Sequence, residues 1–148
     1  MEVRPLSSNE LELVGARLPL NRLDGAGTYL VAWDEAEPVG QAHIAWRNTK
    51  LGMPEIQDVF VLPERRGQGI GTALALAVEQ FALERGLNRL SIGASVTNDG
   101  ALRLYRRLGY VDAGLPPHRV QGTIHVRGGP IEVDDTLIFL VKDLAAHG

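Results

Sequence analysis

Between Val61 and Thr72 the chain reads Val-Leu-Pro-Glu-Arg-Arg-Gly-Gln-Gly-Ile-Gly-Thr: an apolar strand end, two adjacent arginines and three alternate glycines ahead of a helical pattern. Chemistry follows from those types at that spacing. Glycines let the backbone approach a ligand closely and take positive φ, and the first amides of the following helix have no intrahelical acceptor and point at whatever sits before them. Arg65 and Arg66 add positive charge, so the junction is suited to an anion, above all a phosphate.

Spacing separates this junction from two better-known phosphate loops. A P-loop requires a lysine directly before the terminal serine or threonine, and here Gly71 precedes Thr72 with no lysine nearby. A dinucleotide fingerprint, Gly-x-Gly-x-x-Gly, fails at Thr72 when counted from Gly67 and at Leu74 when counted from Gly69. What fits is Arg-x-x-Gly-x-Gly, written here Arg66-Gly67-Gln68-Gly69-Ile70-Gly71 after the strand Asp58-Val59-Phe60-Val61. A second block runs Asn98-Asp99-Gly100-Ala101-Leu102-Arg103-Leu104-Tyr105-Arg106-Arg107-Leu108-Gly109-Tyr110. Together, and in this order, the two blocks resemble the acyl-CoA loop and the Asn-x-x-Ala-x-x-Leu-Tyr signature of the GNAT N-acetyltransferase superfamily. The resemblance is firm from about Glu55 to Tyr110.

At 148 residues the chain is long enough for one core and too short for two, so residues 1–148 are expected to form a single domain. A formal net charge of −3 argues against a nucleic-acid binder. With no cysteine there is no disulfide frame, thiolate metal site or thiol nucleophile. No apolar signal core or membrane-length stretch is visible, and a cytoplasmic protein without a membrane partner is the expectation. His43, His118, His125 and His147 lack metal-ligand spacing, so no metal is expected.

The elements that must position these residues follow from periodicity. Glu2–Leu6 reads as a strand, and Ser7 or Ser8 caps a helix carrying Leu11, Val14 and Leu18, ended by Pro19. Tyr29–Trp33 and Val39–Trp46 form an antiparallel hairpin, and Glu55–Leu62 a further strand. Thr72–Arg85 is a helix with Leu74, Ala77, Val78 and Phe81 on one stripe. Arg89–Val96 is a buried strand in which Gly93 suggests a bulge or a ligand against backbone. Gly100–Leu108 is helix, Tyr110–Ala113 and Thr136–Lys142 are the last strands, and Gly114–Asp135 reads as a long loop or irregular hairpin. The class is α+β. The resemblance implies a GNAT-like fold: a mostly antiparallel central sheet flanked by helices and splayed between strands 4 and 5, here Glu55–Leu62 and Arg89–Val96.

The resemblance also implies roles. Acetyl-CoA is the implied cosubstrate, its pyrophosphate wrapped by the turn that runs Arg65, Arg66, Gly67, Gln68, Gly69, Ile70, Gly71 and Thr72, with Asn98, Ala101 and Tyr105 beside the pantetheine arm. One amide of the Val59-Phe60-Val61 strand would polarise the thioester carbonyl. Tyr105 is the candidate acid for the departing thiolate, and its spacing with Ala101, Leu104 and Leu108 equally suits a core aromatic. Asn98 can cap its helix, hold pantetheine, or do both. For the base, Glu55 lies eleven positions before Arg66, as the glutamate of histone-type members does. In polyamine-type members the base falls at Gln57, whose amide cannot take a proton; this favours Glu55, with Asp58 behind it. Glu55 also reads as a solvated strand-end carboxylate. The implied activity is N-acetylation of a primary amine, small-molecule or peptide, in a ternary complex, and the alternative is a non-catalytic acyl-CoA binding module. His118 and His125 are candidates for the acceptor pocket, and homodimerisation is an expectation from the family.

Overall fold

The computed structural model describes residues 1–23 and 27–144, so His147 lies outside the described residues. Short polar and glycine-rich turns fold the first half into an antiparallel meander. β1 (Glu2–Pro5) pairs with β2 (Gly27–Asp34), β2 with β3 (Glu37–Ala45), and β3 with β4 (Glu55–Val61). β3 is buried from Pro38 to Ala45 because both of its faces are covered. The second half adds β5 (Arg89–Ser95), β6 (Val111–Asp112), β7 (His118–Val126) and β8 (Gly129–Asp143). The sheet order is β1-β2-β3-β4-β5-β8-β6, with β7 also on β8.

The parallel pair opens in the middle of this sheet. β4 and β5 share two registered positions, Glu55 with Ser91 and Ile56 with Ile92, and the Ser91 amide adds a bond to the Pro54 carbonyl at 2.9 Å. Past Ile56 the strands share no further registered pair among the described residues. At that point the register of β4 against β3 slips between Gln41 and His43, and Asp58 adopts φ +51. This is a bulge, and it bends β4 away from its parallel neighbour.

Helix α2 (Ile70–Glu84) buries Ile70, Leu74, Ala75, Val78 and Ala82 on one face of the sheet. The stripe is rotated slightly from the predicted one, since Ala77 and Phe81 are only partly buried. Its buried Glu79 pairs with Lys142 of β8 at 2.8 Å, and Tyr110 lies beside that pair. Helix α3 (Asp99–Arg107) buries Leu102 and Tyr105. Helix α1 is shorter than predicted: Leu11–Gly15 follows one 3-10 turn, Leu11 is exposed, and Val14 and Leu18 are buried. Among the described residues no helix is long and apolar enough to cross a membrane.

The segment predicted as a loop or irregular hairpin is regular. His118–Val126 and Gly129–Leu137 pair in an unbroken antiparallel ribbon, with His118 opposite Leu137 and Val126 opposite Gly129. At its tip Arg127 donates to the carbonyls of Pro19 at 2.9 Å, Gly15 at 2.9 Å and Leu18 at 3.2 Å. The ribbon is thereby fastened to the end of α1, where the last carbonyls of a helix lack partners. Gly93 makes no bulge either, because β5 pairs with β8 continuously from Arg89 to Ser95. A Cβ on Gly93 would lie 2.8 Å from a ring carbon of Phe139, so glycine is required by that ring.

Candidate active site

The split between β4 and β5 is a cavity of about 640 Å³ that continues to the glycine turn and α3. Gly67 and Gly69 take φ +77 and +82, a left-handed backbone that side chains resist, and Gly69 directly precedes α2. Ala73 N–H makes an early helical bond to Gly69 O at 3.0 Å. The amides before it are therefore the open donors of the helix N-terminus, where the dipole favours negative charge. A Cβ on Gly71 would stand 3.6 Å from a Leu104 methyl, an ordinary contact, so α3 does not itself demand glycine there.

Most of the predicted cosubstrate residues meet on this cavity. Val59, Phe60, Val61, Arg65, Arg66, Gly67, Gly69, Ile70, Gly71, Asn98, Ala101 and Tyr105 line it. Gln68 and Thr72 do not; the Gln68 side chain instead accepts from Arg65 at 3.1 Å. Arg65 also pairs with Asp34 at 2.5 Å, and Arg66 donates to the Val61 carbonyl at 3.0 Å while lying over Phe60. These bonds hold both arginines at the turn. The Asn98 side-chain Oδ1 accepts from Ala101 N–H at 3.1 Å, capping α3. Gln57 and Leu104, which the sequence had brought into view, line the cavity as well, and so do Ile92 and Ser95, which lacked any local signal in the sequence.

Three candidate catalytic side chains occupy different environments. Tyr105 is 2% exposed, reaches the cavity, and stands edge-on to Tyr110. Burial and then the Glu79 charge push its phenol upward, so it remains protonated at neutral pH. Glu55 lies outside the cavity lining, at the closed end of the split. One of its oxygens accepts from Gln57 Nε2 at 2.8 Å, and the other is buried without a protein partner. Asp58 is heavily bonded. Its carboxylate accepts from Asn21 N at 3.0 Å, Asn21 Nδ2 at 2.9 Å, Tyr29 Oη at 2.5 Å and Gln41 Nε2 at 2.8 Å. Those donors arrive from the α1–β2 segment, β2 and β3, and they converge on the residue whose φ is reversed.

One row of side chains that the sequence did not single out as a unit crosses the same face. Tyr29 is in register with His43, and His43 with Gln57. The Tyr29 and His43 rings are 4.7 Å apart, and Gln57 follows His43 in register on the next strand. Burial holds the His43 imidazole below its ordinary pKa and hence neutral. His118 lies beside Phe139, with ring centroids 6.4 Å apart, on the β7–β8 ribbon; His125 stands near the ribbon tip. Among the described residues no group of three or more histidine or acidic side chains is placed to hold a metal ion.

The GNAT acetyltransferase family model matches residues 4–110. Streptothricin acetyltransferase of Streptomyces lavendulae is 40% identical over 82 residues, which cover 55% of this chain and 41% of that protein. Thialysine N-epsilon-acetyltransferase of Bos taurus is 39% identical over 57 residues, 38% of this chain and 34% of that one. The chain thus spans less than half the length of these curated relatives. Among solved structures, a GNAT family acetyltransferase from Elizabethkingia anophelis with acetyl-CoA bound superposes with a TM-score of 0.68 at 21% identity, over 97% of both chains. That likeness confirms the α+β fold and its split sheet. Because the family model spans most of the sequence, including the glycine turn and the Asn98 block that build the cavity, this chain belongs to the GNAT acetyltransferase family.

Proposed function

We propose that the chain transfers an acetyl group from acetyl-CoA to a primary amine by direct attack within a ternary complex. The observation that carries this reading is the single cavity joining the open amides of the glycine turn, the bulged β4 backbone and the buried phenol of Tyr105. The residues fit the cosubstrate. Glycines clear a path for a pyrophosphate, the helix terminus favours its charge, and the split sheet offers strand edges to the amides of a pantetheine arm.

In this reading a β4 amide at the bulge polarises the thioester carbonyl. The amine nitrogen forms the C–N bond, the C–S bond breaks, and Tyr105 gives its proton to the leaving sulfur. Glu55, which stands outside the cavity lining, takes the amine proton by way of a water. The Asp58 carboxylate oxygens already receive four hydrogen bonds from the protein. Its role is to hold the bulge. Relatives named for streptothricin and for the Nε position of thialysine agree with an amine acceptor.

The test is steady-state acetyl transfer over a panel of amines, with CoA affinity measured in parallel for Tyr105→Phe and Glu55→Gln. The reading expects both variants to bind CoA like the parent and to lose turnover. CoA binding with no transfer to any amine would favour an acyl-CoA binding module instead.

A further inference from the structure

A second pocket of about 300 Å³ lies on the α1 side of β2 and β3, large enough for an amino-acid-sized group. Arg22 is the one charged side chain among its described lining residues. Its backbone N–H donates to Tyr29 Oη at 2.7 Å, while its guanidinium has no hydrogen bond or ion pair to any described side chain. Around it stand the hydroxyl residues Ser7, Ser8 and Thr28 and the apolar Leu11 and Leu23. At the back is His43, 3% exposed, with Nδ1 buried and unpartnered. A buried ring nitrogen without a partner is costly, and a ligand that supplies one relieves that cost.

The cross-sheet row stands between this pocket and the donor cavity. Tyr29 and His43 wall the second pocket, and Gln57, in register with His43, lines the donor cavity. Two strand spacings separate Tyr29 from Gln57, roughly 10 Å. One end of the row therefore carries Arg22, a cation that no described side chain pairs, and the other carries Gln57 with the Glu55 carboxylate behind it. That polarity is complementary to a molecule with a carboxylate at one end and an amine at the other. The separation is too long for the α-amine of a free amino acid to reach the split while its own carboxylate sits on Arg22.

We propose that the pocket around Arg22 and His43 binds the carboxylate end of the acceptor, and that the acceptor is a primary amine carried on a flexible chain several bonds from that carboxylate. The apolar lining covers the chain, Arg22 and the hydroxyls hold the carboxylate, and the amine is delivered at Gln57. This assignment rests on the acetyltransferase reading for its chemistry. Its binding test does not.

The probes are 6-aminohexanoate and hexylamine, which share a chain and differ in the carboxylate. Calorimetry on the CoA-loaded protein is expected to find 6-aminohexanoate bound about tenfold or more tighter, the scale of a charge-assisted hydrogen bond. Arg22→Met removes that preference and leaves CoA affinity and the melting temperature unchanged, and Arg22→Lys restores part of it. In acetyl transfer, kcat/KM follows the same order, and the Arg22→Met loss appears in KM. Equal binding of the two probes, or a preference that survives Arg22→Met, overturns the proposal. Binding of 6-aminohexanoate through Arg22 without acetylation of any amine would support the pocket and count against the transferase reading.

Discussion

Asp58 offers the sharpest contrast between a proton acceptor and a device that shapes the backbone. Its carboxylate collects four donors from three separate segments, at a residue held at φ +51. Hydrogen bonds to a charged group contribute about 1.5–3 kcal/mol each and are not additive within one network. Asp58→Ala strands donors in a half-buried site and leaves a left-handed alanine, for a combined loss of about 4–5 kcal/mol. At about 2–4 °C per kcal/mol for a chain of this size, the melting temperature falls by at least about 8 °C. Asp58→Asn is milder. Asparagine tolerates the left-handed region, its oxygen can replace the one that takes three donors, and a flipped Asn21 amide can meet its nitrogen; the loss is about 2 kcal/mol.

Turnover should track the backbone. Losing a well-aimed oxyanion donor costs about 10²–10³ in kcat, which is the expected effect of Asp58→Ala. The affinity for CoA, held mainly by the charges and amides of the glycine turn at the other end of the cavity, changes less than kcat. Asp58→Asn keeps most of its kcat, because the bulge survives. The assays are calorimetric melting, CoA titration and acetyl-transfer kinetics on the same three proteins. Equal loss of kcat in both variants with parental melting temperatures would refute the positioning argument and restore Asp58 as a base.

Three further outcomes are expected. Tyr105→Phe keeps the buried ring and its contact with Tyr110, so melting should hardly change while kcat falls by about 10²-fold or more; an unchanged kcat in transfer assays would make Tyr105 a core aromatic only. Lys142→Met leaves Glu79 as a buried uncompensated charge and should cost about 3–5 kcal/mol in urea unfolding, with Glu79→Leu added to Lys142→Met recovering much of it. For His43 the folded pKa lies below the ordinary 6.5, so below that pH the unfolded chain binds a proton that the native state refuses. Stability therefore falls as pH drops from 6.5 toward the lowered folded pKa, and urea titrations of His43→Gln should show a shallower fall in that window.

What was legible in the sequence was local. The turn from Pro63 to Gly71 and the Asn98 cap are set by neighbours a few residues apart, so spacing exposed them. The donors to Asp58 come from 17 to 37 positions away, and the Tyr29–His43–Gln57 row exists only once two strand registers are fixed. Neither leaves a periodic trace. The β7–β8 ribbon does carry a period-2 trace, Val120, Ile124 and Val126 alternating with Arg119, Gln121, Thr123 and His125, but Pro116-Pro117 and Gly128-Gly129-Pro130 at its ends read as loop signals. Pro130 is accommodated beside the turn, the place in a strand that tolerates proline. At Gly93 the bulge is absent; a ring 46 positions later, Phe139, crowds its Cβ position, and Gly93 also lines the donor cavity, where a ligand could lie against its backbone.

The central claim is tested most directly by amine-dependent release of CoA thiol from acetyl-CoA, followed together with the mass of the acceptor. The account predicts that at least one primary amine accelerates thiol release above the rate without amine and gains the mass of one acetyl group. Acetyl-CoA bound in the β4–β5 split, with thiol release that no amine accelerates, would contradict it.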